Sequence, residues 1–329
     1  MKRAAGAMAA ILATILIAIA AWWSYLLFAD RSHPASRTRI IIPRGASFRD
    51  IADRLARAGI ISNAITFRLY AKLRHAEGAA HAGEFAFAAH QTQSTILQQL
   101  ESGGAQIAKW VTFPEGFTAR QISHRLADEG FGDWRTFYQA FMHDSLVVAG
   151  SRTTNLEGYL FPSTYLLPVD ATPRAVERLM TDQFFKELPA GAAQKARAHG
   201  LSVPQVVTIA SLIEWEAKAD DERPLMAGVY YNRLRLNMPL EVDASLEYAF
   251  PEHKDVITYG DLKTDSPYNT YLHAGLPPTP ISNPGRPSLS AAFSPRPSAY
   301  LYYVYKGNGH HAFARTLAEQ NANIAKYLK

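Results

Sequence analysis

The sequence predicts an α+β protein: one N-terminal membrane-spanning helix, a small βααβ-type module, and a larger mixed α+β domain that carries a glutamate on a helix. Three observations predict it. Residues 4–28 form an uncharged apolar run. A strand–turn–helix pattern occurs twice, and residues 202–218 read as an apolar helix with a carboxylate where the apolar face should continue. At 329 residues, 48% of them hydrophobic, the chain can bury a full core and hold more than one domain.

The first element is the apolar run. Lys2 and Arg3 precede it, and Trp22, Trp23 and Tyr25 sit near its far end, as suits a bilayer interface. Leu26, Leu27 and Phe28 stand where a cleaved signal peptide needs small residues, so residues 1–29 read as an uncleaved anchor. Arg31, Arg37 and Arg39 rival Lys2 and Arg3, so charge leaves the orientation open. Residues 30–37, with Pro34, read as a linker.

The repeat follows. IPRGASFRDIADRLARAG (residues 42–59) aligns with FPEGFTARQISHRLADEG (residues 113–130). Each copy reads as a strand, a Pro-x-Gly turn, a Ser47 or Thr118 N-cap, an amphipathic helix and a glycine stop. Residues 64–74 and 94–101 look helical, and GEFAFA (83–88) alternates as a strand. Residues 38–104 therefore form the small module and 105–329 the larger domain.

In the larger domain, residues 131–155 have helix-like patterning, and LEGYLFPSTYLLP (156–168) matches no regular element. Residues 171–186 and 191–199 are expected helices. Ser202 and Gln205 form a capping box for the 202–218 helix. Asp220 or Asp221 can cap the next helix, with Pro224 early in it, running to about Leu236. Residues 266–285 make a long loop rich in Pro, Gly, Tyr and Asn, a composition that usually marks function or disorder. AYLYYVYKGNG (299–309) is the clearest strand, and a helix closes the chain.

Composition removes several chemistries. Without cysteine there is no thiol catalysis, cysteine-ligated metal or disulfide scaffold. The net charge of +5 is spread among acids, which argues against a nucleic-acid partner. His310 and His311, adjacent on a strand, point to opposite faces, and no HExxH spacing occurs, so no metal site is expected. There is no nucleophile elbow, phosphate loop or dinucleotide fingerprint.

Carboxyls and aromatics remain. Glu216 continues the stripe of Ile213, Leu212, Ile209 and Val206; it is either a buried acid with a raised pKa or the frayed end of a helix reaching solvent. Glu214 falls on the other side and is expected to be solvated, paired with Lys218. Tyr159, Tyr165, Tyr268 and Tyr271 are candidate faces for stacking on sugar rings, with Asn269 as a polar amide and Glu157, Glu241 and Asp243 as nearby acids. Each tyrosine taken alone reads first as core or strand packing, Asp243 first as a helix N-cap, and Glu241 also as an exposed strand residue.

LEGYLFPSTY, TIASLIEWEA, VYYNRLRLNMPLEVDASLEYA, DLKTDSPYNTY, GLPPTPISNPG and YLYYVYKGNGHHAF, in this order, resemble the YceG-like (MltG-type) endolytic murein transglycosylases. The resemblance implies a single-pass protein of the bacterial inner membrane with its catalytic domain in the periplasm or outside the cell. It implies that residues 38–104 are a LysM-like module and 105–329 the YceG-like catalytic domain. The expected activity is internal cleavage of nascent peptidoglycan strands with 1,6-anhydro-N-acetylmuramic ends, which terminates strand elongation. Glycan strands and peptidoglycan synthases are the implied partners, and no cofactor is implied. The second glutamate of the family's Glu-x-Glu pair maps to Glu216, with Glu214 the alternative. The rival readings are a hydrolytic muramidase using Glu241 or Asp243 and a non-catalytic glycan-binding scaffold. Trp215, Ser163 and Gln320 depart from the Lys, Asp and His common at those places.

Overall fold

The computed structural model describes residues 2–24, 38–43, 45–103, 108–250, 254 and 257–328. The expected linker at 30–37 lies outside the described residues. The chain divides into two compact units, Met1–Lys109 with Pro168–Asp170, and Trp110–Leu167 with Ala171–Lys329.

The first unit opens with helix α1, Lys2–Ser24. Its continuously described side chains, residues 11–22, are exposed. Among the described residues no helix is long and apolar enough to cross a membrane. Strand β1 (Thr38–Ile42) pairs antiparallel with β2 (Gly83–Phe87), with Ile40 opposite Phe85. Between them lie α2 (Phe48–Arg57) and α3 (Ala64–Leu73), and α4 (Gln93–Ser102) follows. Ser47 and Asp50 form a capping box on α2, and Gly59, just past its end, takes φ +69°, which glycine adopts without strain. Leu55, Phe67, Phe85, Phe87 and Leu100 close a separate core.

The second unit repeats that start. Strand β3 (Ala108–Thr112) leads to α5 (Ala119–Asp128), capped by a Thr118–Gln121 box and followed by Gly130 at φ +85°. Residues 131–155 hold helix α6 (Trp134–His143) and a hairpin of β4 (Val147–Val148) and β5 (Ser151–Arg152). The stretch expected to be irregular ends in a strand, β6 (Thr164–Pro168), which pairs with β3. Tyr165 and Leu167 point inward and Thr164 and Leu166 outward, an alternation masked in the sequence by the flanking prolines.

Helices α7 (Pro173–Glu187) and α8 (Ala192–Ala198) lead to α9 (Val203–Glu216), which carries the Ser202–Gln205 capping box. Every residue of α9 from Val206 to Ile213 is buried. Helices α8, α10 (Arg223–Arg235), α11 (Asp243–Tyr248) and α12 (Arg286–Phe293) pack around it. This corrects the expectation of one buried and one solvated face: α9 is the axis of the core, not an amphipathic surface helix. Neither Asp220 nor Asp221 caps α10; its N-cap is Glu222, which makes no side-chain cap. An antiparallel hairpin of β7 (Tyr302–Tyr305) and β8 (His311–Ala314) and helix α13 (Leu317–Tyr327) complete the unit.

Candidate active site

The site is built on the end of α9. Glu216 is the last helical residue and is partly buried, so its side chain stands where the core meets the loops. Its Oε2 accepts a hydrogen bond from the Tyr303 hydroxyl at 3.1 Å, and the hydroxyls of Tyr303 and Tyr230 lie 2.9 Å apart. Burial pushes the Glu216 carboxyl up to about 7; the Tyr303 bond opposes this and the charge of Asp243 adds to it. A carboxyl so placed can give a proton near neutrality and take one back.

Glu214 belongs to a different structure. Its side chain is 5% exposed, pairs with Arg223 Nη1 at 3.3 Å, and accepts the Gly285 N–H at 2.9 Å. Arg223 is held further by Ser288 Oγ at 2.6 Å and Asp220 Oδ1 at 2.8 Å. The solvated Glu214–Lys218 pair is therefore corrected, because both sides of α9 are covered. Between the two acids, Trp215 donates its indole Nε1 to the Gly116 carbonyl at 2.7 Å.

Trp215 also walls a groove of about 570 Å³ with Thr118, Gln121, Tyr138, Tyr248 and Tyr268. Glu157 lies at its base, 1% exposed. It accepts from the Ala119 N–H at 2.9 and 3.1 Å, Tyr248 Oη at 3.1 Å and Asn283 Nδ2 at 3.0 Å. Burial pushes this carboxyl up to about 7, against those donors, which favour the ionised form. With its lone pairs so occupied, Glu157 braces the groove from inside. Tyr268 is at the same groove, its ring 5.0 Å from that of Tyr248 and its hydroxyl 2.8 Å from Thr279 Oγ1.

The remaining candidates separate into two sets. Asp243 and Tyr271 stay near Glu216: Tyr271 donates to Asp243 Oδ1 at 2.7 Å, and each feels or exerts charge at Glu216. Asp243 is the first residue of α11 and the N-cap position is taken by Val242, so the N-cap alternative is corrected. Glu241 is not a strand residue; it sits at φ +53° and accepts from Arg233 Nη1 at 2.8 Å. Three other expectations are corrected by burial. Tyr159, 1% exposed, packs edge-on against Phe184, and Tyr165 packs beside Phe113 with its hydroxyl on the Phe161 carbonyl, so neither ring is available for stacking on a sugar. Asn269 is fully buried and donates to the Leu262 and Thr264 carbonyls while accepting the Tyr271 N–H, which organises the 266–285 loop rather than a ligand.

Tyr303, Tyr230, Arg223 and Asn283 are site residues that reasoning from sequence missed. Asn283 bonds the Gly158 and Leu160 N–H groups, the Phe117 carbonyl and Glu157, tying its own loop to two other segments. Among the described residues no group of three or more His, Asp or Glu side chains could hold a metal ion. His311 is buried and engaged by Glu222 at 3.0 Å.

Fold and site together define a class: an α+β protein with a partly buried glutamate at the end of a core helix and an aromatic groove walled by the preceding Trp215. Residues 40–326 match the model of the YceG-like family, and the chain belongs to that family. It is 35% identical over 306 residues to a Bacillus subtilis (strain 168) protein named endolytic murein transglycosylase, covering 88% of this chain and 84% of the relative. A protein of the same name from Streptococcus pneumoniae serotype 2 (strain D39) is 28% identical, over 87% of this chain and 58% of the relative's length. The crystal structure of a yceG-like protein from Listeria monocytogenes superposes with a TM-score of 0.58 at 30% identity, covering 88% of this chain and 99% of that one.

Proposed function

We propose that this chain is an endolytic peptidoglycan lytic transglycosylase in which Glu216 is both acid and base. The observation that carries the reading is the Glu216 carboxyl: partly buried, pushed up to about 7, with the Tyr303 hydroxyl donating to its Oε2. Membership of the YceG-like family and the names of the two relatives support it.

Protonated Glu216 donates to the oxygen joining N-acetylmuramic acid to N-acetylglucosamine, and that bond breaks as positive charge grows at the anomeric carbon. The resulting carboxylate takes the proton of the C6 hydroxyl of the same sugar, whose oxygen closes onto the anomeric carbon. Proton and electron pairs balance, and the product is a 1,6-anhydro end. Because the nucleophile is tethered, no second carboxylate is needed. Asp243 then shapes the charge at Glu216, and Tyr268 and the groove walls are candidates for sugar contact.

The proposal extends to location and domains. Residues 1–29 act as a single-pass anchor in the bacterial inner membrane, 30–37 as a linker, 38–104 as a LysM-like module and 105–329 as the catalytic domain in the periplasm. There it cuts nascent strands and ends their elongation, alongside peptidoglycan synthases.

Mass spectrometry of peptidoglycan digested by the wild type and by Glu216→Gln tests the activity. Anhydro ends from the wild type and none from the variant are expected. Reducing ends without anhydro products would replace this reading with a muramidase, for which Asp243 is the nearby second carboxyl. Undiminished cellular function of the Glu216→Gln protein would favour a scaffold.

A further inference from the structure

We infer that Tyr303, held by Tyr230, is a positioning residue that reserves Glu216 Oε2 and leaves Oε1 as the atom that gives and takes the proton. This rests on the reading of Glu216 as acid and base. A phenol has one proton to donate. Tyr303 gives its own to Glu216 Oε2 at 3.1 Å, so the 2.9 Å contact with Tyr230 runs from the Tyr230 hydroxyl to the Tyr303 oxygen. When Glu216 is protonated, Oε2 is the carbonyl oxygen and the proton resides on Oε1. When it is ionised, the same bond persists and strengthens.

The pair behaves as fixed donors, not as a proton relay. Burial and the charge of Glu216 hold both phenols well above their ordinary value, so neither releases its proton under working conditions. The Tyr303 ring is also pinned. Tyr230 meets it edge-on at 6.2 Å and His311 at 5.5 Å, and Glu222 in turn fixes His311 through both its backbone N–H and its ring. Gln320 of α13 donates to the Tyr303 carbonyl at 2.8 Å, so the strand is tethered from behind. A hydroxyl held by so many neighbours can impose one geometry on a carboxyl at a helix end.

Other groups reach Glu216: Asp243 of α11 favours its proton, while Lys218 and the backbone N–H of Ala244 oppose it. Arg233 of α10 acts on Tyr230, and Tyr271 of the long loop is paired with Asp243. Removing the Tyr303 donor leaves these in place and takes away a bond that favours ionisation.

The test uses the full-length protein on purified glycan strands, with kcat and KM measured from pH 5 to 9. Tyr303→Phe should lower kcat by ~tenfold or more with KM little changed, because the donor acts on the reacting acid. The alkaline limb of kcat/KM, where the acid loses its proton, should move up by ~0.5–1 pH unit. Tyr230→Phe should move the limb the same way by less. A Tyr303→Phe profile that superimposes on the wild type while Glu216→Gln is inactive overturns this inference alone. Activity retained by Glu216→Gln overturns the acid assignment and this inference with it. If Tyr303→Phe fails to fold, Tyr230→Phe decides, and an unmoved limb there overturns the inference.

Discussion

The indole of Trp215 donates to the Gly116 carbonyl at 2.7 Å, joining the end of α9 to the Pro-x-Gly turn that precedes α5. The residue next to the proposed acid is thereby locked to the second copy of the repeat, and Gly116 also donates its N–H to the Asn283 carbonyl at 3.0 Å.

Trp215→Phe removes that donor and strands a partly buried carbonyl, at a cost of ~1 kcal/mol. Gly116 sits at φ +78°, and a Cβ there would lie 3.3 Å from the indole. Gly116→Ala should cost ~1–2 kcal/mol through backbone strain. Both variants are expected to melt earlier and to cleave glycan more slowly, measured by calorimetry and product release.

Glu214→Gln should destabilise far more than a surface change, by ~3 kcal/mol, because it leaves Arg223 buried without its internal partner. Below its melting point the variant should still cleave glycan, since the proposed acid is Glu216. A folded but inactive Glu214→Gln would transfer the catalytic role to Glu214. Adding Arg223→Met should recover part of the lost stability, measured as a double-mutant cycle.

Stability should fall as pH rises from about 4.5 toward 7. Glu157 and Glu216 both have folded values raised from 4.5 to about 7, so between these limits the folded chain binds more protons than the unfolded one. Their contribution is present below the unfolded value and lost as pH climbs through the folded one. For the buried Glu157 the effect is up to ~3 kcal/mol. Urea unfolding at pH 5 and pH 8 measures it, and Glu157→Gln should flatten the difference.

Gly158 adopts φ +89°, and a Cβ there would run into the Pro280 ring. Gly158→Ala must displace the 266–285 loop, and Asn283→Ala takes the acceptor away from the buried Gly158 and Leu160 N–H groups. Each should cost more than ~3 kcal/mol, with hydrogen exchange accelerating first in that loop.

What could be read from the sequence was local. The N-caps at Ser47 and Thr118, the capping box at Ser202 and the glycines at 59 and 130 act within one turn, so spacing alone reveals them. The position of Tyr303 against Glu216 spans 87 residues, and no periodicity encodes it. The role of Glu214 was hidden for another reason. A helix buried all round has no polar face to contrast with its apolar one, so face arguments lose their meaning there. Tyr159 and Tyr165 show a third limit: tyrosine is the same residue type whether it lies in a core or on a binding surface, and only burial tells which.

Glu216 closes a helix of 14 residues. The unpaired carbonyls of that last turn carry the negative end of the summed peptide dipoles, and they face whichever charge forms there. A carboxylate generated at this spot is opposed by its own backbone, so the proton it has just given away is quickly wanted back. A glutamate grafted one turn earlier on the helix would lose that restoring push, even in equally apolar company.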